Sequence, residues 1–266
     1  MSRTEVSSTA LKISRKISVF LWASASLVIL QQTSACPTRC ECQYPEVFCS
    51  RTRLTTFPAG LDNVTTFLDV GHNNITTIEE DTFLNLGLVN LIVIVADNNT
   101  ISSVSPNAFR GLEALKFLHL AGNRLTSLPK DLFSNNPVIH HLDLTGNSLI
   151  LPSDGPFLSV PSLEYLDLDH CYLRILSEFA FTDLPKLRYV NLNNNSLRHL
   201  NGNSLKKLTY LRYFKISGNP FDCECSLKPL WTWLSQHHIK TEASCESPPK
   251  FAGKALSVLK NMTCPQ

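Results

Sequence analysis

Nine cysteines, eight histidines and five N-x-[ST] tripeptides carry most of the chemistry available to this sequence of 266 residues. Cys36, Cys40, Cys42 and Cys49 form one cluster, and Cys223, Cys225, Cys245 and Cys264 form a second near the other end. Cys171 stands alone between them. A four-cysteine cluster can hold a zinc ion or form two disulfides, and four cysteines allow three pairings that spacing alone does not choose among. This much cysteine is ordinary in an oxidising compartment, which favours disulfides over metal. The tripeptides start at Asn63, Asn74, Asn98, Asn194 and Asn261, and in a secreted chain each is a glycan acceptor. There is no G-x-S-x-G elbow, phosphate loop, H-E-x-x-H pair or paired nucleophile and base. No catalytic residue, metal or cofactor is therefore expected, and the chain does not read as an enzyme.

The first 35 residues read as an address. Arg3, Lys12, Arg15 and Lys16 stand against one acid, Glu5. An apolar run from Ile17 to Leu30 follows, and Thr33-Ser34-Ala35 supplies small residues for cleavage. That order describes a secretory signal peptide. The run falls short of the ~20 residues that span a bilayer. Removing residues 1–35 leaves 20 bases against 21 acids, a net charge of −1 in place of +2. Neither value makes a case for nucleic acid. Hydrophobic residues at 43% argue against disorder. No second long apolar run follows, so no transmembrane segment is expected in the mature chain, which reads as secreted and extracellular.

What positions these residues is a repeat. LKFLHLAGNRL from Leu115 fits the template LxxLxLxxNxL, as do segments from Ile139, Leu163 and Leu187. Those from Leu211 and Leu91 fit with one substitution each, and the one from Thr65 fits less well at its start. The ninth template position holds Asn73, Asn99, Asn123, Asn147, Cys171, Asn195 and Asn219, spaced by 26 residues once and by 24 five times. Each repeat supplies one short strand, and stacking buries leucines that no single repeat could cover. The asparagine turns inward after the strand, where its amide can pair backbone groups. Ten residues further on, Phe83, Phe109, Phe133, Phe157, Phe181 and Leu205 form a second apolar column. Cys171 takes a ladder position, which reads as a buried thiol with a weak S–H donor; a reactive thiol is the competing reading.

This pattern resembles the extracellular leucine-rich repeat family with cysteine-rich caps, of the Slit, Nogo receptor and Toll-like ectodomain type. C-x3-C-x-C-x6-C at residues 36–49 resembles its N-cap, and NPFDCECSLKPLWTWL with Cys245 and Cys264 resembles its C-cap. The resemblance implies an α/β leucine-rich repeat solenoid, a curved right-handed coil with a parallel concave β-sheet and disulfide caps at both ends. It implies the pairs Cys36–Cys42, Cys40–Cys49, Cys223–Cys245 and Cys225–Cys264. The expected organisation is a signal peptide at 1–35, an N-cap at 36–63, about seven repeats of ~24 residues at 64–221 and a C-cap at 222–266.

Template positions 2, 3, 5, 7 and 8 are expected on the concave face. Position 3 reads Phe67, Val93, Phe117, His141, Tyr165, Tyr189 and Tyr213. Exposed aromatics in a row suit a protein interface, although stacking between strands also explains them. Asp143, Asp167 and Asp169 lie in an acidic stretch, and Arg188, Arg212 and Lys215 in a basic one that follows. The expected partner is an extracellular protein, a ligand or receptor ectodomain, bound through this face. Sulfated glycans held by the basic band 186–215 are the alternative. His72, His119, His140, His141 and His170 also fall on concave positions, where with the aspartates they could sense pH or bind a metal.

Overall fold

The computed structural model describes residues 36–264, and the signal peptide read over 1–35 lies outside the described residues. Nine strands form one sheet, in the order Glu41–Gln43, Glu46–Phe48, Phe67–Asp69, Val93–Val95, Phe117–His119, His141–Asp143, Tyr165–Asp167, Tyr189–Asn191 and Tyr213–Lys215. The first two pair antiparallel and every later pair is parallel. The N-cap therefore extends the repeat sheet with a hairpin instead of merely plugging its end. Each strand is three residues long because only template positions 3 to 5 run straight before the coil turns. In Phe117–His119 the middle residue, Leu118, is fully buried, while Phe117 and His119 face outward, as the two-residue period of a strand requires.

The convex side carries little helix. The repeats hold one four-residue α-helix, Thr82–Asn85, and a 3-10 turn, Gly202–Leu205. A coil of 24 residues that must form a strand, turn inward and return leaves no room for three helical turns. Phenylalanines fill this side instead. The rings of Phe83, Phe109 and Phe133 stack at 5.7 and 5.6 Å, and Phe57 of the N-cap meets Phe83 edge-on at 4.9 Å. Phe157 and Phe181 continue the buried column.

The asparagine ladder supplies the polar half of the core. Asn147 is fully buried. Its amide donates to the carbonyls of Leu120 and Leu144 at 2.9 and 2.8 Å, and its oxygen accepts from the Leu125 N–H at 2.9 Å. Asn99, Asn123, Asn195 and Asn219 make the same three kinds of bond. Each amide thus bonds its own coil and the preceding one. A buried backbone group left without a partner costs about 1–3 kcal/mol, so one asparagine protects more stability than one leucine methyl.

Both ends are closed by disulfides: Cys36–Cys42 and Cys40–Cys49 at the start, Cys223–Cys245 and Cys225–Cys264 at the finish. These are the pairs the family resemblance implies. In the C-cap, helix Lys228–Gln236 buries Leu230, Trp233 and Leu234, a spacing of three and four residues that puts them on one face. Trp233 meets Phe214 of the last concave strand edge-on at 6.5 Å. Gly202 lets this helix approach, since a β-carbon there would lie 2.8 Å from the Pro229 carbonyl oxygen.

Cys171 is the ladder's one irregular rung. It is fully buried, and its thiol points to the carbonyl of Leu144 at 3.2 Å, the bond an asparagine amide makes elsewhere. It offers no side-chain oxygen for the Leu149 N–H, which bonds the Cys171 carbonyl at 3.2 Å instead. The next residue, Tyr172, is pushed to φ +56. Burial raises the Cys171 pKa to about 12, which suppresses the nucleophilic thiolate. A thiol-specific reagent is accordingly expected to leave Cys171 unmodified in the native protein and to label it on unfolding with the disulfides intact. Cys171→Asn, which restores the missing acceptor, is expected to keep or raise the denaturation midpoint. Stoichiometric labelling of the folded protein would contradict this account.

Candidate binding surface

The concave sheet sets the outward side chains in register. Phe67, Val93, Phe117, His141, Tyr165, Tyr189 and Tyr213 pair strand to strand in one column. Ring centroids are 5.9 Å apart from Phe117 to His141, then 5.8, 6.0 and 6.4 Å on to Tyr213. Neighbouring rings stack or tilt against one another, so part of each face is covered by its neighbour. Exposure is uneven along the column and greatest at its end: Phe117, His141 and Tyr189 are half-buried, Tyr165 is 41% exposed and Tyr213 is 64% exposed.

The acids on this face are largely occupied by the fold. Position 5 carboxyl or amide oxygens accept the backbone N–H two residues on: Asp69 from Gly71, Asp143 from Thr145, Asp167 from Asp169 and Asn191 from Asn193. In two repeats whose position 5 cannot accept, the preceding coil supplies the acceptor. Asp97 takes the Ala121 N–H because that repeat has His119, and Asn193 takes the Ser217 N–H because that repeat has Lys215. Asp167 also accepts from the Thr145 hydroxyl and the Asn191 amide. Asp169 accepts from the Asn194 amide at 3.0 Å and lies 2.9 Å from His170. The same turn explains position 8, which adopts positive φ in every repeat, through His72, Asn98, Gly122, Gly146, His170, Asn194 and Gly218. Asparagine and glycine tolerate that region best.

The bases are less engaged. Arg188 pairs with Glu164 on the neighbouring strand at 3.3 Å. Arg212 and Lys215 make no ion pair among the described residues; the Lys215 ammonium sits 5.3 Å from the Tyr189 ring centroid, within cation–π range. The asparagines of all five N-x-[ST] tripeptides, Asn63, Asn74, Asn98, Asn194 and Asn261, are exposed. Among the described residues, no group of three His, Cys, Asp or Glu side chains is arranged to hold a metal ion.

His119, His140 and His141 do gather near the middle of the face. His119 and His141 rings lie 5.0 Å apart, and His140 meets Phe117 edge-on at 4.7 Å. Burial lowers the His141 pKa from its ordinary value, and His119 lowers it further. Burial alone would raise the Asp143 pKa, but His119, 3.9 Å away, and hydrogen bonding from Thr145 outweigh it and bring the value below the usual carboxylate range. Burial raises the Asp97 pKa.

Sequence reasoning located the column and the ladder. It missed the backbone work of the aspartates, although the Asx residues at positions 5 and 7 (Asp69, Asp97, Asp143, Asp167, Asn191, Asn193) spell that pattern. It also missed the flank that the C-cap builds beside the last strand.

A capped parallel-sheet solenoid with one ordered concave face is a repeat-protein architecture. The leucine-rich repeat profile matches residues 64–125, 118–173 and 161–221. These segments cover more than half of the sequence, and the chain belongs to the leucine-rich repeat family. Curated relatives include leucine-rich repeat-containing G-protein coupled receptor 5 of Xenopus tropicalis, 34% identical over 99 residues, covering 36% of this chain and 11% of that protein. Phospholipase A2 inhibitor of Gloydius brevicaudus siniticus is 44% identical over 54 residues, covering 18% of this chain and 16% of that one. Leucine-rich repeat and immunoglobulin-like domain-containing nogo receptor-interacting protein 2 of Mus musculus is 35% identical over 72 residues, covering 26% and 12%. The chain thus matches less than a fifth of the length of each of these relatives. Among solved structures, human 5T4 (Wnt-activated inhibitory factor 1, trophoblast glycoprotein) superposes with a TM-score of 0.63 at 22% identity, covering 88% of this chain and 98% of that one. This likeness shows the fold.

The histidine cluster gives a test of the face's electrostatics. The folded His141 pKa lies below the unfolded value, so its contribution to stability is present above about pH 6.5 and is lost as pH falls through the folded pKa. NMR titration of the histidine ring protons is expected to place His141 below the ordinary histidine midpoint and to move it upward in His119→Gln. A His141 midpoint at or above the ordinary value would contradict this reading.

Proposed function

We propose that this chain is a secreted, non-catalytic binding protein that recognises an extracellular protein through its concave face. One observation carries the reading: an in-register aromatic column ends in the well-exposed Tyr213, on a sheet whose Asp143 and Asp167 are already bonded to the backbone. What this face offers a partner is aromatic area and positive charge. Tyrosine suits that role, because it buries a large apolar surface and keeps a hydroxyl for a partner. Family membership supports binding in general, and the relatives' names are those of a receptor, an enzyme inhibitor and a receptor-interacting protein. The fold alone does not choose the partner.

Secretion is supported by the four disulfides, which persist in oxidising compartments. No helix among the described residues is long and apolar enough to cross a membrane. The exposed sequons, with Asn98 and Asn194 on the rim of the concave face, are assigned as glycan sites. A second reading, a matrix-associated protein held by sulfated glycans through residues 186–215, draws on Arg212 and Lys215, which make no ion pair among the described residues.

The test is a binding screen of the protein purified from the medium of expressing cells, against receptor ectodomains and heparin, with a Tyr165/Tyr189/Tyr213→Ala variant beside it. An ectodomain partner is expected to bind, and the triple variant to lose about a hundredfold or more in affinity, since each interface tyrosine of this kind contributes about 1–2 kcal/mol. Binding of heparin alone, equally by both proteins, would replace this reading with the matrix one.

A further inference from the structure

A groove of about 820 Å³ opens between the last concave strand, Tyr213–Lys215, and the C-cap segment 238–242. Arg212, Tyr213 and Lys215 line it from the sheet, and His238, Lys240 and Glu242 from the cap. Three permanent cations therefore face one acid. Among the described residues, none of Arg212, Lys215 and Lys240 makes an ion pair, in contrast to Arg188 one strand back, which is held by Glu164. Three cations against one acid leave a net positive groove whose like charges repel one another, and an anionic occupant relieves that repulsion.

The groove also receives the end of the aromatic column. Tyr189 lies 6.4 Å from Tyr213, and the Lys215 ammonium stands over the Tyr189 ring. An apolar ledge therefore runs directly into the charged walls. A segment carrying carboxylates next to apolar or aromatic side chains matches both parts. A densely sulfated chain matches less well, because Glu242 sits in the wall and Lys206 and Lys207, which would lengthen a basic track, are not among the groove-lining residues.

We propose that this groove binds an acidic peptide segment of the protein partner, with Lys215 and Lys240 holding carboxylates from opposite walls and Tyr213 packing against the intervening side chain. The proposal rests on the concave-face reading and adds to it a charged anchor built partly by the C-cap.

The experiment titrates the protein, purified as above, with a synthetic glutamate–tyrosine copolymer and separately with a heparin oligosaccharide at low ionic strength. The variant Lys215→Glu/Lys240→Glu is compared with Lys206→Glu/Lys207→Glu, which changes net charge equally outside the groove. All four lysines are exposed, and equal denaturation midpoints confirm that both variants are folded. The expected result is copolymer affinity reduced about tenfold or more by the groove pair and little changed by the control pair. Equal weakening by both pairs, no copolymer binding, or tighter groove-dependent binding of heparin would overturn the proposal. An ectodomain partner from the screen separates the two readings. If the tyrosine variant loses it and the groove variant keeps it, the groove proposal falls and the concave-face reading stands. If the tyrosine variant keeps it, that reading falls, and the copolymer titration decides the groove on its own.

Discussion

The structure depends on satisfying buried backbone groups each time the coil turns. A coil this short cannot close its own hydrogen bonds after a three-residue strand, and water does not reach the interior. The ladder asparagine solves this once per repeat, with two donors and one acceptor shared across adjacent coils. Because each amide spans two coils, the repeats are locked in register as well as stacked. The leucine positions supply the driving force for burial, but leucine cannot choose a register along the solenoid, since it makes no directional bond. Cys171 shows how narrow the tolerance is. One thiol replaces the amide, the Leu149 N–H finds a backbone carbonyl instead, and the neighbouring Tyr172 is forced into a left-handed conformation.

The same constraint shapes the concave face. Positions 5 and 7 lie where the strand ends, so their aspartates and asparagines are drawn into capping the turn. Half-buried acids that look available in sequence are therefore structural parts. What remains open on the face is the aromatic column and, past Arg188, a group of cations that make no ion pair among the described residues. The charge asymmetry of the chain is therefore unequal on this face: Asp143, Asp167 and Asp169 are bonded within the fold, whereas Arg212 and Lys215 are exposed beside the C-cap.

Much of this architecture was legible in the sequence because it is periodic. A ladder residue recurring every 24 positions fixes strand, turn and core face together, and the register of Phe117, His141, Tyr165, Tyr189 and Tyr213 follows directly. The hairpin that extends the sheet over Glu41–Phe48 was less legible, because a cap occurs once and has no period to reveal it. The bonds that Asp143, Asp167 and Asp169 make were not legible, since composition does not say whether a carboxylate is already held by a backbone N–H or a neighbouring amide. The groove against segment 238–242 joins residues from a repeat and a cap, and neither local pattern encodes that meeting.

The division between structural acids and free bases is the central claim, and the denaturant stability of Asp167→Ala measured beside Lys215→Ala tests it most directly. Asp167 accepts from the Asp169 N–H, the Thr145 hydroxyl and the Asn191 amide, whereas Lys215 is exposed and makes no ion pair among the described residues. The account predicts a loss of about 1–3 kcal/mol for Asp167→Ala and a change within about 0.5 kcal/mol for Lys215→Ala. Equal, negligible losses for both would show that the aspartate is as free as the lysine and would contradict it.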